Sequence, residues 1–237
     1  MNLVLLYESD FTDRDKKSVS VRGKRMEHIL SVIRAGKGNE IKVGLLDGAS
    51  GTACITEVNE HELLMEVFLT QEPLPFLPLT LILALPRPKT LRKTIEAATS
   101  LGIKKIFIIE SWRVEKNYWS SPVLNDQNLF KFMINGLQQA RDTILPKIEI
   151  RKRFKPFVED EIPEIIKNTI PFVAHPYSKT ECPHKVTKPV TLALGPEGGF
   201  IPYEVELLQH YGFQPVTIGD RVLRVEYALP VLAGKLF

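Results

Sequence analysis

Two cysteines, Cys54 and Cys182, are all that the 237 residues contain. They form no CxxC pair and have no cluster of metal-ligating residues beside them. That excludes a disulfide scaffold and argues against structural zinc, so no metal is expected. Long apolar runs are missing too: none approaches the ~18 residues that a membrane-spanning helix needs. After Met1 and Asn2 only five apolar residues precede Glu8, too short for a signal-peptide core. A cytoplasmic protein without membrane contact is the expectation. A large charge imbalance is absent as well, since the net charge is +3. Bulk charge therefore does not announce nucleic acid. Its distribution says more. Residues 14–42 hold nine Lys/Arg against three Asp/Glu, and residues 73–116 hold eight against three. Together they fit a surface that tracks phosphates, although each alone reads first as a solvated charged face. No internal repeat or low-complexity segment occurs.

What the chain does have is concentrated in residues 191–227. Residues 191–194 are a short apolar run suited to a buried parallel strand. Gly195-Pro196-Glu197-Gly198-Gly199 ends it. Pro202 sits well for a first helical turn, and Glu204, Val205, Leu207, Leu208 and Tyr211 continue with helical spacing. Gly212 closes that helix. Residues 215–218 read as the next strand, and Gly219-Asp220 opens a second loop. Glycine loops at the carboxyl ends of neighbouring strands are where open α/β sheets place a ligand. The first loop is no dinucleotide fingerprint: Pro196 removes a backbone donor, and Glu197 puts negative charge where a phosphate would sit. No Gly-Lys-Ser/Thr follows, so it is no P-loop. A glycine-rich, donor-poor, acidic loop suits a neutral or cationic ligand. A tight turn without any ligand is the alternative.

The pair Gly195-Pro196-Glu197-Gly198-Gly199 and Ile218-Gly219-x-Arg221-Val222-Leu223-Arg224-x-Glu226 resembles the RsmE family. These are SPOUT-class methyltransferases acting on a uracil N3 of 16S ribosomal RNA. The resemblance implies an α/β fold: a C-terminal parallel sheet with helices on both faces and a trefoil knot. It also implies S-adenosylmethionine as cofactor, a homodimer, and 16S ribosomal RNA, within the small ribosomal subunit, as partner.

The remaining chain fits two domains. Residues 1–7, 40–46, 52–58 and 63–69 read as strands, residues 11–21 as polar and turn-like, and residues 23–34 as a helix with Met26, Ile29, Leu30 and Ile33 on one face. His28-Ile29-x-x-Val32-x-Arg34, Gly38-x-Glu40-Ile41 and Asp47-Gly48 resemble the family's PUA-like RNA-binding barrel. His28 is expected to serve packing or capping. Three prolines, Pro73, Pro75 and Pro78, make residues 72–78 a stiff linker between domains at 1–71 and 79–237. Beyond it, strands at 79–85, 104–110, 148–150 and 172–174 alternate with helices at 90–101, 126–140 and 158–166. That alternation means a parallel sheet covered by helices.

Methylating uracil N3 requires loss of the imide proton, and the charge then spreads onto O2 and O4. A guanidinium meets that charge with two parallel donors. Arg224 is the first candidate for this role and Arg221 the second. Glu226 could orient Arg224, act as a base, or simply sit at a helix N-terminus. By the resemblance, the cofactor is held by Leu194, Gly195, Pro196, Glu197, Gly198, Gly199, Ile218, Gly219 and Leu223, with His175 and Pro176 as a third loop. Arg22, Lys24 and Arg25, and separately Arg87, Lys89, Arg92 and Lys93, are expected on RNA phosphate. The chain departs from the family where Leu-Arg-Thr-Glu-Thr-Ala becomes Leu223-Arg224-Val225-Glu226-Tyr227-Ala228. Pro230 follows, expected in the first turn of a helix starting near Tyr227. Residues Gln138-Gln139-Ala140-Arg141 also differ from the family's Glu-Gln-Ser pattern. A non-catalytic RNA binder, a methyltransferase for another base, and a nucleotide-dependent oxidoreductase stay open as alternatives.

Overall fold

The computed structural model describes residues 2–237, apart from the side chains of Val32 and Ile33. Met1 and the inward placement expected of Ile33 lie outside the described residues. The chain divides into two compact units, Met1–Pro75 with Ile134–Leu145, and Phe76–Met133 with Pro146–Phe237.

The first unit contains β1 (Val4–Leu6), β2 (Ser18–Arg22), α1 (Gly23–His28), β3 (Glu40–Leu45), β4 (Ser50–Val58) and β5 (Glu62–Gln71). The sheet order is β1-β3-β4-β5-β2. The β1–β3 pairing is parallel, and the others are antiparallel. Strand β2 corrects the expectation of a polar turn over residues 11–21. Its serines and valines alternate, so Val19 and Val21 enter the core while Ser18 and Arg22 face solvent. The polar half of that alternation hid the strand. Helix α1 continues as a π-helical turn, Ile29–Ile33, which buries Ile29. His28 is exposed rather than packed. The helix turns its Met26 and Ile29 inward, which sends His28 to solvent.

The second unit is built on six parallel strands: β6 (Leu79–Ala84), β7 (Lys105–Ile109), β8 (Lys147–Arg151), β9 (Ile170–Ala174), β10 (Val190–Leu194) and β11 (Gln214–Val216). Their order is β11-β9-β10-β6-β7-β8. Its helices are α2 (Pro88–Ser100), the first half of α3 (Asp126–Ala140, which passes into the first unit at Ile134), α4 (Phe154–Pro156), α5 (Ile162–Ile165), α6 (Pro202–His210) and α7 (Val225–Leu236). All five residues of β10 are buried, which is why its sequence is a continuous apolar run without alternation. Its one polar side chain, Thr191, is satisfied by the Thr169 hydroxyl at 2.8 Å.

Several element boundaries differ from expectation by a few residues, two helix starts among them. The helical stretch expected at 158–166 starts at Phe154, with a π-helical turn (Phe157–Glu161) linking α4 to α5. Pro156 is in its first turn, where the missing N–H has no intrahelical partner to lose. Helix α7 starts at Val225, not near Tyr227, so Pro230 lies beyond the first turn. The Arg224 carbonyl sets this start by accepting from Tyr227 N–H (2.9 Å) and Ala228 N–H (2.8 Å). An interior proline costs a helix about 3 kcal/mol. Burial of Val225, Leu229, Leu232, Ala233 and Leu236 on the inward face of α7 opposes that cost. Among the described residues no helix is long and apolar enough to cross a membrane.

Candidate active site

Register brings three strand ends together. Leu194 of β10 pairs with Ala174 of β9, and Val216 of β11 pairs with the same Ala174. The loops leaving these ends and the first turns of α7 enclose a cavity of about 320 Å³. It lies where a parallel sheet offers a ligand site.

The loop after β9 is tied to β11. His175 N–H reaches Val216 O at 2.9 Å, and the Ser178 hydroxyl reaches Pro215 O at 2.8 Å. The loop after β10 turns at Pro196–Gly199, closed by Gly199 N–H to Pro196 O at 2.8 Å. Gly199 has φ +71°, a conformation that L side chains rarely adopt. At Gly195 the loop doubles back so tightly that a Cβ would stand 2.9 Å from Phe200 N. The loop after β11 is shaped by Thr217, whose hydroxyl donates to Gly219 O at 3.1 Å.

A buried carboxylate ties the end of the loop after β10 to the loop after β7. Glu204 accepts from Trp112 N–H at 2.7 Å and from Ile201 N–H at 2.9 Å. It is 3% exposed, so these are partners it cannot trade for water. Glu204→Gln keeps one acceptor and turns an N–H donor toward the other. The expected loss is about 1–3 kcal/mol of unfolding free energy, read from the urea midpoint.

Most of the expected site residues meet here. Leu194, Gly195, Pro196, Glu197, Gly198, Gly199, Ile218, Leu223, His175 and Pro176 line the cavity, and so do Arg221 and Arg224. Gly219 and Glu226 do not line it. Glu226 is buried, 3.7 Å from Lys93 Nζ, and its Oε2 has no hydrogen bond among the described residues. Sequence reasoning missed Arg113, Tyr177 and Thr217, which also line the cavity. Arg113 follows the end of β7 on the same edge of the sheet, which was the available signal. Its guanidinium donates to the Gly198 carbonyl.

Among the described residues the lining is cationic: Arg113, Arg221 and Arg224 stand against Glu197. The Glu197 carboxylate in turn accepts the Arg87 backbone N–H at 3.1 Å. Burial pushes the His175 imidazole below its ordinary pKa, so it is neutral near pH 7. The unfolded chain therefore binds this proton first as the pH falls. The stability contributed is complete above about 6.5, the unfolded value. It is lost on acidification from there down through the lower folded value. His175→Gln should show a smaller drop in urea midpoint between about pH 7.5 and pH 5 than the parent protein.

The expected RNA contacts differ among themselves. Lys24 and Lys89 are exposed and free of ion pairs among the described residues. Arg22 pairs with Glu62 at 2.7 Å and Arg92 with Glu96 at 3.1 Å, both at the surface. Arg25 is engaged internally. It binds Asp10 at 2.7 Å and the Leu5 carbonyl at 2.6 Å, and stacks on the Tyr7 ring. Lys93 faces Glu226. A hydrogen bond with Tyr118, and Tyr118 and Glu197 charge nearby, hold the Arg87 guanidinium above its usual range. No group of three or more His, Cys, Asp or Glu among the described residues could hold a metal ion.

A sequence model of the RNA methyltransferase domain matches residues 72–236. The chain belongs to that family. Two curated relatives extend the match along most of the chain. Ribosomal RNA small subunit methyltransferase E 1 of Borreliella burgdorferi is 26% identical, over 96% of this chain and 94% of that protein. Ribosomal RNA small subunit methyltransferase E of Treponema pallidum is 28% identical, over 96% of this chain and 87% of that protein. A solved structure of the methyltransferase E from Neisseria gonorrhoeae, bound to S-adenosyl methionine, has a TM-score of 0.75 at 21% identity. It covers 98% of this chain and 95% of that one. A Legionella pneumophila methyltransferase described with bound cofactor reaches the same TM-score and identity, covering 98% and 96%. At this identity the two structures establish a shared fold.

Proposed function

We propose that this RNA methyltransferase uses S-adenosylmethionine to methylate N3 of a uridine in small-subunit ribosomal RNA. The observation that carries the reading is the convergence on one cavity of two glycine motifs distant in sequence, the His175-Pro176 turn, and Arg221 and Arg224. The names of the two spirochaete relatives support the substrate class, and the ligand of the Neisseria structure supports the cofactor.

The residues present fit that cofactor. Leu194, Ile218, Leu223 and Leu232 give the cavity apolar walls. A Cβ on Gly199 would meet nothing within 4 Å, so a ligand can approach that backbone. When bound, S-adenosylmethionine supplies a methyl group on a positively charged sulfur. The chain's own residues prepare the other reactant. Arg224 and Arg221 face the cavity with donors that stabilise uracil O2 and O4 as N3 loses its proton, and so favour the anion. Holding N3 in line with the methyl group supplies much of the acceleration, with no need for a strong base. His175, neutral near pH 7 and on the cavity wall, is available to accept the proton. Glu197 is occupied with Arg87 N–H, and Glu226 lies outside the lining.

The proposal extends to the rest of the molecule. Residues 1–71 form a PUA-like RNA-binding domain, 72–78 a linker, and 79–237 a SPOUT domain with a trefoil knot. Val186 N–H reaches Leu236 O at 2.6 Å, which ties the segment between β9 and β10 to the end of α7. The protein works as a homodimer in the cytoplasm on RNA of the small subunit. Exposed Tyr227 and Val231 on α7 support a partner there. Transfer of labelled methyl from S-adenosylmethionine to small-subunit RNA is the expected result with purified protein. Cofactor binding without transfer to any RNA would favour a non-catalytic RNA binder, in keeping with Val225 and Tyr227 replacing two threonines. Affinity for NAD in place of S-adenosylmethionine would return the site to an oxidoreductase.

A further inference from the structure

Tyr177 is 82% exposed, although it lines the cavity. A single exposed aromatic needs no explanation by itself. This one stands on a braced turn. Pro176 fixes the backbone just before it. Ser178 N–H closes the turn on His175 O at 3.0 Å, and the Ser178 hydroxyl anchors it to Pro215 O at 2.8 Å. The His175 ring meets the Tyr177 ring at 79°, with centroids 5.8 Å apart. This edge-to-face contact leaves most of the aromatic surface open to solvent. The same cavity is lined by Arg113, Arg221 and Arg224.

An open aromatic ring on a braced turn, lining one cavity with three arginines, has the chemistry of a single-stranded nucleic acid site. There, bases splayed out of the helix stack on aromatic faces while cations hold the backbone. We infer that Tyr177 is the stacking platform on which an RNA base rests as it enters the cavity, an inference that rests on the RNA methyltransferase reading. The cofactor's adenine suits Tyr177 less well. The apolar walls of Leu194, Ile218 and Leu223 can enclose an adenine, whereas the Tyr177 ring faces solvent, from which the RNA arrives. Stacking tolerates any base, so Tyr177 sets binding and position, and the arginines bear on the chemistry. Tyr177 is thus a substrate-positioning residue.

The test is steady-state methyl transfer to unmodified small-subunit RNA by the parent protein, Tyr177→Ala and Tyr177→Phe. Calorimetric titration of S-adenosylmethionine accompanies it. Tyr177→Ala is expected to raise the KM for RNA about tenfold, the usual effect of losing one stacked base. Tyr177→Phe keeps the ring and should stay within about twofold of the parent. Both should bind S-adenosylmethionine as the parent does. An unchanged KM in Tyr177→Ala overturns the inference. So does a matching loss of cofactor affinity, which would place the ring over the cofactor, or a Tyr177→Phe as impaired as Tyr177→Ala, which would assign the effect to the hydroxyl. A parent protein that binds cofactor but neither binds nor methylates RNA overturns the underlying reading too, so the two failures are told apart.

Discussion

Arg224→Ala should lower kcat about 10²–10³-fold while leaving the Kd for S-adenosylmethionine within about twofold. The expectation rests on where the charge develops. Uracil is neutral when it binds and anionic as N3 reacts, so a guanidinium at O2 or O4 acts mainly in the transition state. Arg224 caps α7 through its backbone carbonyl, and this interaction survives truncation of the side chain. The side chain is exposed and lines the cavity, so its loss should not unfold the protein. Arg224→Lys keeps a charge but loses the planar pair of donors, and recovers only part of the rate. Single-turnover rates with saturating RNA separate this effect from weaker binding. An alanine variant that loses RNA affinity at unchanged kcat would assign Arg224 to phosphate contact.

Gly195→Val has the second large effect, for a steric reason. A Cβ at Gly195 would lie 2.9 Å from Phe200 N and 3.1 Å from both Gly199 Cα and C, all backbone atoms. Backbone cannot swing aside as a flexible side chain can, so the 195–200 loop must open. Overpacking of this kind costs about 1–3 kcal/mol. The unfolding free energy should fall by that amount. The affinity for S-adenosylmethionine should fall at least about tenfold, because the displaced loop forms part of the cavity. Gly36→Val is the matched control, since a Cβ there meets nothing within 4 Å. Its melting temperature and cofactor affinity should stay close to those of the parent.

Much of the second unit was legible because its strands are short and buried. Runs such as Leu79–Ala84 and Val190–Leu194 leave no polar residue to confuse the pattern, apart from threonine. The glycine loops were legible because glycine and proline punctuate the chain where it turns sharply. Strand β2 was hidden because half of its residues are serine or arginine and face solvent. The start of α7 was misplaced because Pro230 argued for a later start, whereas burial of Val225 and Leu229 settles it. The roles of Arg113 and Glu204 went unnoticed for a different reason. Their roles depend on register between elements distant in sequence: Arg113 meets Gly198, and Glu204 meets Trp112. No local pattern encodes such pairs.

The measurement that bears most directly on the central claim is identification of the methylated nucleoside. Small subunits lacking the modification would be incubated with the purified protein and labelled S-adenosylmethionine, and their RNA digested to nucleosides. The label should appear as 3-methyluridine, and Arg224→Ala should remove it. Label on a ribose hydroxyl or on another base would contradict the claim that the arginines serve a uracil imide anion.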